Sequence, residues 1–348
     1  MRSLVARAGE RGFQGVMAYS VREALWLVES GVRDVLVGYP SVDRGALAAL
    51  ARHEAGRREV TLMVDDAAHL ELVRHALAET GTGDEPPVRV CLDVDASLRV
   101  GLGLVTVHLG TRRSPLHGAR DVASLAARVV STPGLALRGL MFYEAQVAGM
   151  PDSSLAVRAV KRLSVLELGE RRGEVVAAVR DVVGHGLELV NSGGTGSLET
   201  SSADAVVTEV TAGSGLYVPG LFDEYRAFRP RPSAFFGLDV VRVPGPGWAT
   251  AFGGGYVASG PATRSRLPRV VTPGWSLTGR EGAGEVQTPL HRSRGAAGAP
   301  DLGVGDRVWF RHGKAGEAME RFDRVHLVRG DEVVDVVPTY RGEGKSFG

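Results

Sequence analysis

Residues 191–197, Asn-Ser-Gly-Gly-Thr-Gly-Ser, follow directly on an apolar run and combine Gly193, Gly194 and Gly196 with the hydroxyls of Ser192, Thr195 and Ser197. Glycines at this spacing let backbone N–H groups converge on an anion, and the hydroxyls supply further donors. Alone the motif is weak, because a glycine-rich turn between strand and helix more often holds no ligand. Its weight comes from a second loop, Gly213-Ser214-Gly215, which follows the run ending in Glu209-Val210-Thr211-Ala212. In (β/α)8 barrels the loops after the seventh and eighth strands commonly build a phosphate site at the C-terminal face. Ser192, Gly193, Gly194, Thr195, Gly213 and Ser214 are therefore candidates to hold a phosphate-bearing cofactor or substrate. Neither loop runs into Gly-Lys-Ser/Thr, which argues against a P-loop and nucleoside triphosphate chemistry.

Polar residues punctuate other strand ends. Asp93 and Asp95, Arg99 just beyond them, and Tyr143-Glu144 fall where barrel enzymes keep catalytic groups. Taken singly each reads as a surface ion pair or hydrogen bond; as a set they predict a polar mouth. In the last third of the chain Arg311-His312-Gly313-Lys314 follows an alternating run, with Glu317 and Glu320 soon after. A lysine ammonium only donates, so His312 and Lys314 do not make a metal pair, and a solvated strand end is the plain alternative. His53, His69 and His75 sit on predicted helices without ligand spacing and read as surface residues.

The elements that must position these groups alternate from residue 13 to about 210. Apolar runs at 15–19, 34–38, 59–64, 88–95, 137–143, 187–191 and 205–210 predict strands, and amphipathic stretches between them predict crossover helices. Ser20 with Glu23 forms a capping box ahead of the stripe Val21, Ala24, Leu25 and Val28. Further helices fit 44–54, 67–80, 120–131 and 155–183, the last expected to break or bend near Gly169 and Gly173. Residues 2–9 read as the end of a helix running into the first strand. The fold class is thus α/β: a (β/α)8 TIM-type barrel that lacks its first strand, over residues 1–229, and then a C-terminal antiparallel β domain over 230–348. The second assignment rests on turn clusters such as Pro244-Gly245-Pro246-Gly247 and on alternating runs at 307–310 and 333–337.

Charge and composition exclude whole classes of function. Lys+Arg of 41 against Asp+Glu of 40 leaves a net charge of +1, so no global field draws the protein to nucleic acid or an anionic membrane. Only Lys161, Lys314 and Lys345 are lysines, the other 38 cations being arginines, so lysine chemistry has three candidates. The single cysteine, Cys91, lies inside an apolar run and reads as a small buried hydrophobe. With no membrane-length apolar stretch and no signal-peptide core at 1–12, a cytoplasmic protein is expected.

Together these residues make the sequence similar to the D-threonine aldolase and D-serine dehydratase-like branch of the alanine-racemase fold, the fold-type III pyridoxal-phosphate enzymes. The resemblance extends over nearly the whole chain. It is carried by Asp93-Val94-Asp95 with Arg99 and Gly101, by Tyr143-Glu144, and most specifically by Ser192-Gly193-Gly194-Thr195-Gly196 and the stretch 208–214. It implies a homodimeric lyase, an aldolase or dehydratase, that acts on a small D-β-hydroxy amino acid such as D-threonine or D-serine. It further implies pyridoxal phosphate held on Gly194, Thr195, Gly213 and Ser214, with Arg99 or Tyr143 near the ring or substrate.

Two departures stand out. The Schiff-base lysine of such enzymes lies at the end of the first barrel strand, and that segment is not in this chain; either it lies upstream of Met1 or the protein lacks the lysine. The usual His followed two positions later by Cys or Asp is here His312 and Lys314, which argues against a divalent ion. Instead, the Lys314 ammonium would supply the positive charge near the substrate β-hydroxyl, with His312 as general base. A non-catalytic pyridoxal-phosphate-binding protein, an amino-acid racemase and a sugar-phosphate barrel enzyme are the alternatives.

Overall fold

The computed structural model describes residues 1–102, 105–261 and 263–347. Backbone contacts divide the chain into two compact units: Met1–Met150, Ser154–Thr211 and the residues from Gly344 form one, Pro151–Ser153 with Ala212–Glu343 the other. Residues 212–229, grouped with the barrel on sequence, thus cluster with the second unit.

In the first unit the strands are β1 Val16–Ala18, β2 Val35–Pro40, β3 Val60–Val64, β4 Val88–Asp93, β5 Leu98–Leu102, β6 Val105–Leu109, β7 Leu135–Phe142, β8 Leu189–Ser192 and β9 Glu209–Val210. Seven of them form one sheet in the order β1-β2-β3-β4-β7-β8-β9, each parallel to its neighbour. These are the seven strands that the apolar runs predict. Among the described residues β1 and β9 are its edges.

Helices α1 Arg2–Gly9, α2 Val21–Glu29, α3 Arg44–Arg52, α4 Glu54–Glu59, α5 Ala67–Thr80, α6 Ala119–Ser131, α7 Ala145–Ala148, α8 Leu155–Val183 and α9 Leu198–Ser201 lie between the strands. One sheet face buries Val35, Val37, Leu62, Val64, Val90, Leu92 and Leu140 against stripes such as Ala24 and Leu27 of α2 and Val175 and Val179 of α8. That burial holds the unit together, at about 25 cal/mol per Å² of apolar surface.

Local chemistry explains three differences from the sequence reading. Ser20 Oγ accepts from Glu23 N at 3.3 Å, but the Glu23 carboxylate reaches back to Tyr19 N at 2.7 Å, one residue earlier than a capping box. The predicted helix 44–54 stops at Arg52 because His53 turns extended, and its Nδ1 caps α4 by accepting from Gly56 N at 2.8 Å. Helix α8 runs unbroken for 29 residues through Gly169 and Gly173, ending at Gly184 in the left-handed conformation. An interior glycine costs only about 1 kcal/mol, and the buried stripe Leu168, Val175, Val176 and Val179 outweighs it.

The β5–β6 pair is an antiparallel hairpin that the apolar pattern did not reveal. Its Val100 and Val107 are about half exposed, so no buried face marks it out.

The second unit holds a six-stranded sheet of β10 Phe236–Arg242, β11 Trp248–Phe252, β12 Arg269–Val270, β13 Trp275–Leu277, β14 Gln287–Arg292 and β15 Arg307–Arg311, in the order β12-β15-β10-β11-β14-β13. Its strand pairs are antiparallel. Phe236, Leu238, Val240, Trp275, Leu290, Val308 and Phe310 form its core, with Phe236 and Phe310 stacked at 5.4 Å. Strands β16 Arg324–Arg329 and β17 Glu332–Pro338 form a separate hairpin. Among the described residues no helix is long and apolar enough to cross a membrane.

Candidate active site

The other face of the parallel sheet is layered by the two-residue alternation of its strands. Across its middle runs an apolar, sulfur-rich cluster of Leu36, Met63, Cys91, Met141 and Leu189, with Met17 and Tyr143 against them. Cys91 is fully buried there, which pushes its thiol far up. Toward the N-terminal ends of the strands this face carries ion pairs, Arg138 with Asp34 at 2.5 Å and Arg89 with Glu188 at 2.7 Å. Toward the C-terminal ends it carries Asp65, Asp93, Tyr143 and Asn191, the end where barrel folds place chemistry.

The 191–197 loop is built around Glu144, which is 2 % exposed. Its Oε1 accepts from Ser197 Oγ at 2.6 Å and Ser201 Oγ at 2.7 Å, its Oε2 from Gly193 N at 3.2 Å and Ser192 Oγ at 3.1 Å. Arg172 of α8 donates to Ser192 Oγ at 2.9 Å and pairs with Asp204. Gly193 takes φ +91°, which favours glycine. A Cβ on Gly194 would meet Ala148 at 2.9 Å and Tyr143 at 3.3 Å. The loop then enters the 3-10 turn Thr195–Ser197. Ser192, expected to touch a ligand, is instead fully buried behind the loop and helps to hold Glu144. Asn191, also fully buried, donates to Glu209 Oε1 at 2.6 Å and Thr211 Oγ1 at 2.7 Å.

Asp95 anchors the start of the β5–β6 hairpin. Burial pushes its carboxyl up, but hydrogen bonds from Arg99 and Ser97 with the Arg99 charge outweigh that and leave it below the usual range. Arg99 Nη2 lies 2.6 Å from Asp95 Oδ2, and Ser97 Oγ bridges Asp95 Oδ2 and His108 Nε2, 2.8 Å from each. Behind them Arg171 of α8 donates to the carbonyls of Asp95 at 2.7 Å and Ser97 at 3.1 Å.

Tyr143 closes β7, with the Arg113 guanidinium 4.9 Å from its ring centre. Burial raises its phenol, which therefore keeps its proton at neutral pH. Asp93 is pushed up to about 7, first by burial and then by Asp65 and Asp95, with Arg113 opposing. His69, read as a surface residue, is a correction: its Nδ1 lies 3.2 Å from Asp65 Oδ1 and its side chain is mostly buried.

In the second unit Gly213 and Ser214 open a short 3-10 turn, Ser214–Leu216. The segment after β15 is not a solvated strand end. Arg311 and His312 are both buried, and Arg311 binds the carbonyls of Val218 and Pro219 and pairs with Asp223 at 2.7 Å. Burial and the Arg311 charge lower His312, and its Nε2 is buried without a hydrogen-bond partner among the described residues. Lys314 Nζ donates to Ser259 Oγ at 3.2 Å, and Glu317 Oε1 accepts from Ser259 N at 2.9 Å.

No protein-family model matches the chain. Over 209 residues, 60% of this chain and 49% of the relative, it is 27% identical to a D-threonine aldolase of Arthrobacter sp. Over 205 residues it is 26% identical to a 3-hydroxy-D-aspartate aldolase of Paracoccus denitrificans, covering 58% of this chain and 46% of the relative. The matches thus span about half the length of these curated relatives. Among solved structures, the D-threonine aldolase from Filomicrobium marinum aligns over 97% of this chain and 83% of its own, with TM-score 0.77 at 21% identity. The D-threo-3-hydroxyaspartate dehydratase from Delftia sp. HT23 gives TM-score 0.68 at 19% identity, over 93% of this chain and 83% of that one. An alanine racemase of Clostridium difficile 630 gives 0.59 at 14%, over 97% and 86%. The fold is that of the alanine racemases.

In this alanine-racemase fold the sequence placed Tyr143 and the 191–197 loop together on one unit, and the structure makes Glu144 their link. Sequence reasoning named Glu144 without its role and missed Arg171 and Arg172 altogether. A signal was available, since both arginines fall on the apolar stripe of α8 between Leu168 and Val175.

Proposed function

We propose that the protein is a pyridoxal-phosphate-dependent lyase, an aldolase or dehydratase, acting on a small D-β-hydroxy amino acid. The observation that carries this reading is the 191–197 loop at the C-terminal end of β8, its positive-φ Gly193 and its Cβ-intolerant Gly194 braced by Glu144. Its backbone is already shaped as a phosphate cradle would be, with Gly193 N and Gly194 N turned to Glu144 and Ser197 Oγ on the inner side of the loop. The similarity to D-threonine and 3-hydroxy-D-aspartate aldolases supports the same reading.

The residues fit the phosphate end of the cofactor. Bound there, pyridoxal phosphate supplies an electron sink for bonds at the amino-acid Cα. The chain's own groups do the rest. Gly194 and Thr195 hold the phosphate, and Tyr143, protonated at neutral pH, donates its O–H beside the loop. Gly213, Ser214, His312 and Lys314 belong to the second unit and are proposed on residue type and resemblance. His312 Nε2, buried and kept neutral, would accept the β-hydroxyl proton, and the Lys314 ammonium would balance the charge that develops. Arg99, held on Asp95, would face the cofactor ring or the substrate with its remaining donors. Retro-aldol cleavage follows from His312 taking the hydroxyl proton; dehydration requires loss of the Cα proton and of hydroxide. A homodimer and a cytoplasmic location complete the proposal.

The second reading is a pyridoxal-phosphate-binding protein without catalysis. Lys161 lies on α8, Lys314 bonds Ser259, and Lys345 sits 5.9 Å over the Trp26 ring, so none ends a strand of the parallel sheet. The test is the visible spectrum of the chain with pyridoxal phosphate before and after borohydride, followed by incubation with D-threonine and D-3-hydroxyaspartate. Aldehyde plus glycine marks an aldolase, keto acid plus ammonia a dehydratase, and loss of optical activity alone a racemase. Binding without turnover leaves the second reading; no binding removes both.

A further inference from the structure

The acid at the end of β4 has no part in the mechanism above, yet its placement is unusual. Along β3 Thr61 and Met63, and then Asp65, share one face, as do Arg89, Cys91 and Asp93 along β4. Met63 and Cys91 are register partners in the buried sulfur-rich layer, so Asp65 and Asp93 stand side by side in the next layer up. Asp93 pairs in register with Met141, and Met141 with Asn191, the residue that opens the glycine loop. Two strand spacings separate Asp93 from that loop, roughly 10 Å, which a ligand with an aromatic ring spans when its phosphate is held there.

The groups around Asp93 are unequal in their commitments. Asp95 is taken up by Arg99 and Ser97, while Asp65, which lies beside His69 and Ser114, is itself raised by burial and by Asp66. The Asp93 carboxylate has no hydrogen bond or ion pair among the described residues, although its backbone carbonyl accepts from Ser114 Oγ at 2.6 Å. Acting on it are Asp65 from the end of β3, Cys91 and Asp95 from its own segment, and Arg113 from the loop before α6. Arg113 likewise has no hydrogen bond or ion pair among the described residues, its guanidinium lying on the Tyr143 ring. A carboxyl set between a second carboxyl and one cation, half out of water, is built to change its proton and not to hold a fixed charge.

We propose that Asp93 is the proton-carrying group of this face, passing a proton to and from a ligand held at the 191–197 loop. In the forward step the proton leaves the carboxyl oxygen for a lone pair of the ligand's acceptor atom. The O–H electron pair stays on Asp93, whose negative charge then faces Arg113. Asp65 opposes that charge and drives the return. The ligand half of the proposal rests on the cofactor reading; the proton half does not.

The experiment is a titration of the full chain labelled with 13C at the aspartate carboxyls, read by NMR with and without saturating pyridoxal phosphate. Equilibrium dialysis of the same samples reports cofactor binding. One aspartate carboxyl titrates near neutrality; Asp93→Asn removes that signal, and Asp65→Asn moves it down by about a pH unit. Bound pyridoxal phosphate, an anion, moves it up by about half a unit or more. No aspartate titrating above about pH 6, or a signal that survives Asp93→Asn, overturns the proposal. So does a signal that bound cofactor leaves unmoved. Absence of binding in dialysis removes the cofactor reading and with it the ligand half, while the titration still decides the proton half.

Discussion

Glu144 offers one carboxylate to four donors, and an amide in its place keeps one acceptor oxygen and adds two donors facing hydroxyls and a backbone N–H. Glu144→Gln is therefore expected to weaken pyridoxal-phosphate binding by about tenfold or more and to cost about 1–3 kcal/mol of stability, checked by equilibrium dialysis and urea unfolding. Wild-type binding would show that the loop keeps its shape without the carboxylate. For Lys314 the expectation is different: Lys314→Met abolishes turnover and leaves cofactor binding unchanged, because its ammonium acts on the substrate. Equal activity in that variant, or strong activation of the wild type by zinc or manganese, sinks the role assigned to it. Asp93 also makes a stability prediction. Its folded carboxyl stands near 7 against 3.8 unfolded, so the folded state binds the extra proton and stability falls as pH rises from about 4 to 7. Asp93→Asn removes that penalty, which is up to about 4 kcal/mol. The urea midpoint should rise clearly at pH 8 and hardly at pH 4.5; an equal change at both pH values would mark a packing effect. Among these residues the sequence exposed type and strand position, hence Tyr143, Asp93 and the loop. It did not expose partners, because which donors meet Glu144 depends on register between strands far apart in the chain.

Helix α8 shows what an element adds. Its N-cap Ser154, whose side chain accepts from Val157 N, and its C-cap Gly184 fix its ends, and the periodicity of Leu168, Val175, Val176 and Val179 fixes which face is buried. Those ends and that face were readable as 155–183 from sequence. The two arginines on the buried face were not, since a charged pair on an apolar stripe has meaning only when its acceptors are known. Arg171 ties α8 to the carbonyls at the base of the β5–β6 hairpin, and Arg172 ties it to Ser192 and Asp204 behind the glycine loop. One helix thus positions both parts of the mouth. Removing either side chain strands buried acceptors that the other cannot reach. Arg172→Met should loosen the loop and lower cofactor affinity while leaving hairpin amides protected; Arg171→Met should do the reverse. Hydrogen exchange of amides 95–109 and 191–201 separates the two, and identical exchange patterns in both variants would show that α8 acts only as a packed cylinder.

At the scale of the whole molecule the pattern of short apolar runs carried the parallel sheet and its seven strands, because a strand buried on both faces reads as a continuous run. The hairpin at 98–109 escaped for the converse reason. The open sheet raises the question of association, since unpaired edges template further pairing. Here the edges are short: β1 has three residues and β9 two. Few unpaired N–H and C=O groups are on offer there, so open-ended edge pairing is a weak competitor of the homodimer proposed above. Charge offers an independent handle on the same question. Near pH 7 the net charge is only +1, and low net charge favours non-specific association; lowering the pH adds positive charge and weakens it. Sedimentation velocity should give one dimer mass at pH 7.5 and at pH 6 over a wide concentration range, because a specific interface does not depend on near-zero net charge. A mass that climbs beyond the dimer with concentration at pH 7.5 and falls at pH 6 would instead identify edge pairing, and would reject the homodimer.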